Sequence, residues 1–341
     1  MRTITRRTWA ALIAGAFTVL AAGATTEAQT APGAKQPVSL RFSWKFKGEY
    51  GPLFAALDKG YFAEEGLDVK LNEGAGVNPA FASMAKGEDQ ISWMPAASLM
   101  QAKSKDVNAK IIASYSTAAP VVLISWPDKP IHTPKDMEGK RIAGAAGDAG
   151  TFFMPILCRK NNTDCSKIQV INLALGAQVQ AFVGKQVDAI ALYRTNDLPI
   201  VLSKYGHDFV QMDETKFGLV IPGGALVASN DVIAKDPAML AKFVRATNRG
   251  MEFAKQNPLE AAKSMLKYWQ ASLPPEVVAE QIKAVVEGLP DYGGKPMGFT
   301  ADGPAKEALD NLQEAKMIET ILPLNEYFTN DIVARANAKT N

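Results

Sequence analysis

The sequence predicts an α/β fold with two lobes, each a mostly parallel sheet flanked by helices. Strand and helix patterns alternate from residue 38 onward, which is typical of parallel sheets with helices on their faces. The same alternation begins again near residue 140. The chain has 341 residues, which is enough for about two domains of ordinary size.

The first half alternates three strand patterns with two helix patterns. Val38–Trp44 alternates apolar and polar residues and is predicted to be the first strand, and Leu67–Leu71 and Ile91–Met94 follow as further strands. Helices are predicted over Pro52–Lys59 and Pro79–Lys86, because each segment starts with proline and is followed by glycine. These elements predict the first lobe.

The second half repeats this order of elements. Its strand and helix patterns cover, in chain order, Lys140–Gly144, Thr151–Arg159, Ile168–Leu173, Ala177–Val183 and Val187–Leu192. The helix–turn–strand passage at residues 85–91 also aligns with the passage at residues 183–189. Two related α/β lobes would explain this internal similarity.

Two interruptions of the pattern indicate where the chain passes between the lobes. The proline-rich segment Pro127–Pro134 follows the first half, and Ile221–Gly224 follows the second. The remainder of the chain has mainly helical periodicity and is predicted to pack on the first lobe. The predicted boundaries are therefore residues 38–125 with 226–341 for lobe I and residues 126–225 for lobe II. Two crossing segments form a hinge that lets the lobes close on a ligand.

Residues 1–28 are predicted to be a signal peptide. Three arginines lie within the first seven residues, and the apolar run Trp9–Ala24 is shorter than the about 20 residues of a membrane-spanning helix. Small residues offer cleavage sites after Ala24 or after Ala28. We expect the mature protein in the periplasm, exported by the general secretory or the twin-arginine route. An uncleaved anchor is the alternative.

Composition and charge exclude several classes of function. The chain has 37 Lys and Arg against 35 Asp and Glu, and removal of residues 1–28 leaves the two numbers equal. This balance gives no basic field for a nucleic acid. Two histidines leave little for imidazole catalysis or a His-based metal site. We therefore predict no catalytic residue, no metal and no cofactor.

Cys158 and Cys165 are the two cysteines of the sequence. In an oxidising compartment a pair this close can form a disulfide that closes a short polar loop. The alternative is two free thiols. Neither cysteine belongs to a Cys–His pair or to a four-ligand zinc pattern, so the pair is predicted to be structural.

Three motifs resemble a known family of solute receptors. The segment Tyr50–Val69 resembles the opening of solute-binding proteins of the alkanesulfonate, nitrate, taurine and thiamine-pyrimidine type. Ile131–Ile142, with its Pro-Lys-Asp and Gly-Lys residues, and Gly184–Ala189 are similar to motifs of the family's second lobe. Gln90 departs from the family, which usually has Asp at this position.

The resemblance covers residues 38–260 and carries implications for fold and function. It implies the type II periplasmic binding protein fold, with a two-segment hinge between the lobes. It also implies a small-molecule solute as ligand, the permease of an ABC transporter as partner, and a monomer. The same family includes the fungal thiamine-pyrimidine synthase, which is an enzyme.

Ligands of open α/β sheets bind beyond the carboxyl ends of the strands, and this rule selects the candidate ligand-binding residues. In the first lobe they are Trp44, Glu49, Tyr50, Gly76, Asn78, Ser98, Ser116 and Thr117. In the second lobe they are Asp148, Thr151, Phe152, Tyr193 and Asn196.

Several of these candidates have a second interpretation. Trp44 offers an indole face for stacking on a planar ligand, or it is a core tryptophan. Backbone N–H groups around Gly76 suit a partially negative ligand group. Glu49 would bind an amino group or is a solvated turn residue, and Asp148 faces the cleft or caps a helix. Asp213 and Glu214 are interpreted as surface charges.

The candidates favour a planar ligand over an anion. The aromatic candidates are Trp44, Tyr50, Phe152 and Tyr193. The basic residues beside the proposed site are Lys45, Lys47 and Arg194. The predicted ligand is therefore a planar nitrogen-containing or aromatic molecule, similar to a thiamine-pyrimidine precursor, and a sulfonate, taurine or nitrate is the alternative. A pyrimidine synthase-like enzyme is the alternative from another class, but the sequence has no Cys-rich motif.

Overall fold

The computed structural model describes residues 34–145, 149–174 and 176–338. The predicted signal peptide, residues 1–28, and the candidate ligand residue Asp148 lie outside the described residues. Within the described ranges, no helix is both long enough and apolar enough to cross a membrane. Two five-stranded sheets form the centres of two lobes.

The two sheets share one strand order. The strands are β1 (Gln36–Phe42), β2 (Leu67–Asn72), β3 (Ile91–Pro95), β4 (Ala109–Ser114), β5 (Val121–Ser125), β6 (Arg141–Gly144), β7 (Gln169–Asn172), β8 (Ala189–Tyr193), β9 (Val210–Asp213) and β10 (Gly224–Ser229). The first sheet has the order β2-β1-β3-β10-β4, and the second has the order β7-β6-β8-β5-β9. In each sheet one strand, β10 or β5, runs antiparallel to both of its neighbours.

Helices cover the sheets and form most of the chain after β10. They are α1 (Gly51–Asp58), α2 (Tyr61–Glu64), α3 (Val77–Ala85), α4 (Ala96–Ala102), α5 (Ala149–Phe152), α6 (Met154–Lys160), α7 (Gln178–Val183), α8 (Asp197–Tyr205), α9 (Asn230–Lys235), α10 (Pro237–Gln256), α11 (Pro258–Leu266), α12 (Pro275–Glu287), α13 (Asp302–Glu314) and α14 (Asp331–Asn337). The apolar core of the first sheet includes side chains of α1, α10, α11 and α12. The tail therefore packs on the first sheet.

The chain passes to the second sheet earlier than the predicted boundary at residue 125. Val121–Ser125 pairs with β8 and β9, so the first crossing segment is residues 115–120. The second crossing segment is residues 214–223, between β9 and β10. The proline-rich segment 127–134 instead joins β5 to β6 within the second sheet. We call residues 34–114 with 224–338 the first lobe, and the described residues of 121–213 the second lobe.

The internal sequence similarity corresponds to one shared backbone contact. In the first lobe the Gln90 side-chain oxygen accepts a hydrogen bond from the Ser39 N–H at 2.9 Å. In the second lobe Asp188 Oδ2 accepts from the Arg141 N–H, also at 2.9 Å. In each lobe the acceptor stands one residue before the point where the third strand pairs with the first. Gln90 precedes Ile91, which pairs with β1, and Asp188 precedes Ala189, which pairs with β6. Gln90 therefore makes the contact that an aspartate makes in the second lobe.

Cys158 of α6 and Cys165 form a disulfide. By constraining the unfolded chain, a loop this short contributes about 2–3 kcal/mol to stability. Titration of the denatured, unreduced protein is expected to find no reactive thiol, and titration after reduction is expected to find two. Two reactive thiols before reduction would contradict the pairing.

Candidate functional site

A cavity of about 740 Å³ lies between the two lobes. Its walls include residues that follow β1, β3, β4 and β8, both crossing segments, and the carboxyl-terminal end of α12. Strand ends of open α/β sheets are the usual ligand position. Its volume lies within the range of about 300–1,000 Å³ that is typical of small-molecule sites.

The cavity brings together part of the predicted set. The predicted residues that line it are Trp44, Glu49, Gly76, Ser98, Ser116, Thr117 and Tyr193. Tyr50, Asn78, Thr151 and Asn196 are not among the lining residues. Asp148 and the Phe152 side chain lie outside the part of the molecule that the structure describes. Ligand contact by the lining residues remains a prediction.

Tyr50 is a core residue, contrary to its predicted contact with ligand. Its ring is 1 % exposed and stacks on Phe42, with ring centroids 4.0 Å apart. Burial, with a further effect of Glu49, raises the pKa of the Tyr50 phenol. Tyr50 ends a short 3-10 turn between β1 and α1, and this turn packs its ring on the sheet instead of the cavity.

The other three predicted residues outside the lining have different surroundings. Asn78 is exposed on α3. Thr151 packs against Gly144, since a Cβ added at Gly144 would lie 2.7 Å from the Thr151 methyl group. The Asn196 carbonyl oxygen accepts a hydrogen bond from the Gln281 side-chain amide at 2.7 Å. Asn196 therefore joins the second lobe to α12 of the first.

Trp44 is held at the cavity by the Gly74–Gly76 segment. Its side chain is 48 % exposed and lines the cavity. The Gly74 N–H donates to the Trp44 carbonyl at 3.0 Å, and the Gly76 N–H donates to the Ser43 carbonyl at 2.8 Å. The Gly76 N–H therefore fixes the backbone before Trp44, and ligand binding by other backbone N–H groups around Gly76 stays a prediction.

Trp93 and Tyr115 form an aromatic wall that was not predicted from the sequence. Both line the cavity, and their rings stack with centroids 5.4 Å apart. The Tyr115 hydroxyl donates to Asn248 Oδ1 at 2.8 Å. A Cβ at Gly224 would lie 2.5 Å from the Trp93 ring, so glycine allows the start of β10 to approach it. Trp93 is near the end of β3 and Tyr115 follows β4, so the strand-end rule applies to both.

Lys47 and Glu49 join the lobes at one side of the cavity. Lys47 Nζ lies 3.1 Å from a Glu49 carboxylate oxygen and 5.7 Å from the centroid of the Tyr193 ring. The Thr195 hydroxyl donates to the other Glu49 oxygen at 3.0 Å. Burial raises the pKa of the nearby Asp197, although Lys47 opposes this. Glu49 is therefore an interlobe contact and not a solvated turn residue.

Arg194 and Asp213 form a second charged pair in the cavity wall. Their closest side-chain atoms are 2.8 Å apart, and the Asp213 side chain is 15 % exposed. Burial raises the pKa of Asp213, but a hydrogen bond from Thr215 and the charge of Arg194 outweigh it, so this pKa is lowered. The interpretation of Asp213 as a surface charge is wrong. Glu214 is also buried, at 2 % exposure.

Known proteins resemble this chain in sequence and in fold. A family profile described as NMT1/THI5 like matches residues 47–261. A formylaminopyrimidine-binding protein of Halalkalibacterium halodurans is 22 % identical, over 78 % of this chain and 81 % of the relative. A riboflavin-binding protein of Chloroflexus aurantiacus is 24 % identical, over 90 % of this chain and 89 % of the relative.

A solved structure shows the same architecture. The periplasmic aliphatic sulphonate binding protein of Escherichia coli matches with a TM-score of 0.66 and 15 % identity, over 86 % of this chain and 92 % of that one. At this identity the match shows the fold. It confirms the predicted two-lobe periplasmic binding protein fold.

Proposed function

The chain belongs to the NMT1/THI5-like family, and from this premise we propose that it is an extracytoplasmic solute receptor of an ABC importer. It binds a small planar molecule, nitrogen-containing or aromatic, between its two lobes and delivers it to the permease. The pyrimidine and flavin named for the two relatives are ligands of this chemical kind, which supports the proposal.

The pairing of charges in the cavity wall carries the proposal. Lys47 and Arg194 are the basic side chains among the described lining residues, and each faces a carboxylate of the same wall. An anion bound to either cation would share it with Glu49 or Asp213 and would lie close to that carboxylate, whose like charge repels it. Competition for the partner of a partly buried carboxylate is costly. The wall is therefore better suited to an uncharged ligand than to a sulfonate.

Aromatic groups supply the attraction that this wall offers to such a ligand. Trp44 is exposed enough to take a planar group on its face, and Tyr193 faces the cavity from the second lobe. Stacked aromatic pairs contribute about 0.5–1.5 kcal/mol beyond the burial of area. Hydroxyl groups of Ser98 and Thr117 are available in the same wall for the polar edge of the ligand.

The alternative of a pyrimidine synthase-like enzyme, whose family motif is rich in cysteine, finds no free thiol among the described residues. Cys158 and Cys165 are joined to each other, so neither supplies a thiolate. Among the described residues, no group of three or more His, Cys, Asp or Glu side chains could hold a metal ion. A receptor that binds and releases its solute unchanged needs neither group.

Export completes the proposed role. Residues 1–28 direct the chain to the periplasm and are removed, and the mature protein acts there as a monomer. Contacts from both lobes to one ligand favour a closed arrangement, which the permease then recognises.

Native mass spectrometry of the purified protein, followed by thermal unfolding with candidate solutes, tests the proposal. Uncharged pyrimidines and flavins are expected to raise the unfolding temperature, because a ligand at 100 times its Kd stabilises by about 2.7 kcal/mol. Taurine and nitrate at equal concentration are expected to leave it unchanged. Stabilisation by the anions alone would overturn the planar-ligand proposal in favour of the sulfonate alternative.

A further inference from the structure

The cavity is bordered by two different apolar clusters. Trp93 and Tyr115 belong to the core that the first sheet shares with α1, α10, α11 and α12. Ala119, Phe153 and Ile221 belong to a second cluster that includes side chains of α4, α6 and α13, and Met317 packs against it. Trp93 and Tyr115 line the cavity, and so do all four residues of the second cluster named here.

Four of these residues form what we call the hinge-side pocket: Ala119, Phe153, Ile221 and Met317. Ala119 and Ile221 lie in the two crossing segments, Phe153 precedes α6, and Met317 follows α13. All four side chains are apolar, and the first three are less than 9 % exposed. This apolar part of the lining therefore differs from the part that carries Lys47 and Glu49.

Hydrogen bonds hold the elements around the hinge-side pocket in place. The Asn311 side-chain amide of α13 is buried and donates to the Val220 carbonyl at 2.9 Å. The Asn161 amide, at the end of α6, donates to the Phe217 carbonyl at 2.9 Å. Both helices are thus attached to the second crossing segment. A pocket held in this way is formed before any ligand enters.

The two lobes already touch each other at the side of the cavity that carries Glu49. Thr195 of the second lobe bonds Glu49 of the first, and Asn196 accepts from Gln281 of α12. The cavity still measures about 740 Å³ with these contacts formed. This volume is larger than a single six-membered ring, so such a ring alone would leave apolar surface of the cavity unburied.

We infer that the hinge-side pocket is a second subsite, which takes an uncharged apolar group, either an alkyl chain or a further aromatic ring, attached to the planar part of the ligand. This inference rests on the proposed function, because it extends the same binding site. Met317 suits such a role, since an unbranched thioether side chain adapts to groups of different shape.

Titration with the neutral fluorescent probe N-phenyl-1-naphthylamine tests the subsite. Wild-type protein is expected to give a saturable rise in probe fluorescence. Met317→Trp fills the pocket and is expected to weaken probe binding at least tenfold. Met317→Gln keeps the side-chain size but adds a polar amide, and is expected to weaken it at least threefold. Leu259→Trp, which changes an exposed residue of α11, is the control and is expected to bind as wild type does.

The outcomes separate this inference from the proposed function. Absence of saturable probe binding to wild type, or wild-type affinity in both folded Met317 variants, would overturn the subsite. If pyrimidines or flavins still stabilise the protein in that case, the receptor proposal stands. Saturable probe binding that Met317→Gln weakens, without stabilisation by any heterocycle, would support the subsite and overturn the planar nitrogen-containing ligand. Thermal unfolding of each variant establishes that it is folded before titration.

Discussion

Trp44→Ala is expected to weaken ligand binding by about tenfold or more, which corresponds to 1.4 kcal/mol. The indole lines the cavity and is 48 % exposed, so it can stack on a planar ligand without first leaving the core. Loss of stacking and of the buried ring area together reaches this magnitude. Isothermal titration with the heterocycle that most stabilises wild type measures the change.

Tyr268→Ala is the matched control for this variant. Tyr268 is 47 % exposed, almost as much as Trp44, but it contacts Phe54 and does not line the cavity. Its removal is expected to leave affinity unchanged. Equal affinity of wild type and Trp44→Ala would show that Trp44 does not stack on the ligand, and the planar-ligand proposal would lose its main aromatic contact.

The fold was predictable because both lobes repeat one local pattern. Alternating apolar residues identify β1, where Val38, Leu40 and Phe42 are buried, and the repeated helix–turn–strand passage identifies the second lobe. Local pattern cannot assign a strand to its sheet. Val121–Ser125 is buried throughout, so its sequence shows a strand but contains no information on whether β3 or β8 is its neighbour. The lobe boundary was wrong for this reason.

Site residues could be predicted from the sequence only where their position at the end of a strand brings them to the cavity. The strand-end rule found Trp44 and Tyr193, which follow or end strands at the cavity. It failed for Tyr50, because the direction of a side chain in a 3-10 turn depends on the packing partner, here Phe42. The Arg194–Asp213 pair was missed because Arg194 follows β8 and Asp213 ends β9, and these two strands are separated by β5 in the sheet.

Gly74→Ala is expected to lower both stability and ligand affinity. A Cβ on this buried residue would lie 1.8 Å from the Phe42 carbonyl oxygen and 2.8 Å from the Ser43 carbonyl carbon. These are backbone atoms, so no side-chain rotation relieves the overlap, and β1 and the Gly74–Gly76 segment must separate. Overpacking of this kind costs about 1–3 kcal/mol and occasionally more.

The affinity loss follows from the hydrogen bond between the Gly74 N–H and the Trp44 carbonyl. Separation of the two segments breaks this bond and moves Trp44 from its place in the cavity wall. Thermal unfolding and titration of the same heterocycle, at a temperature where the variant is folded, measure the two effects. Gly303→Ala is the control, because an added Cβ there meets no atom within 4 Å and alanine favours the helix. If Gly74→Ala matches this control in both measurements, the Gly74–Gly76 segment does not position Trp44, and the proposed aromatic contact must be held by other parts of the chain.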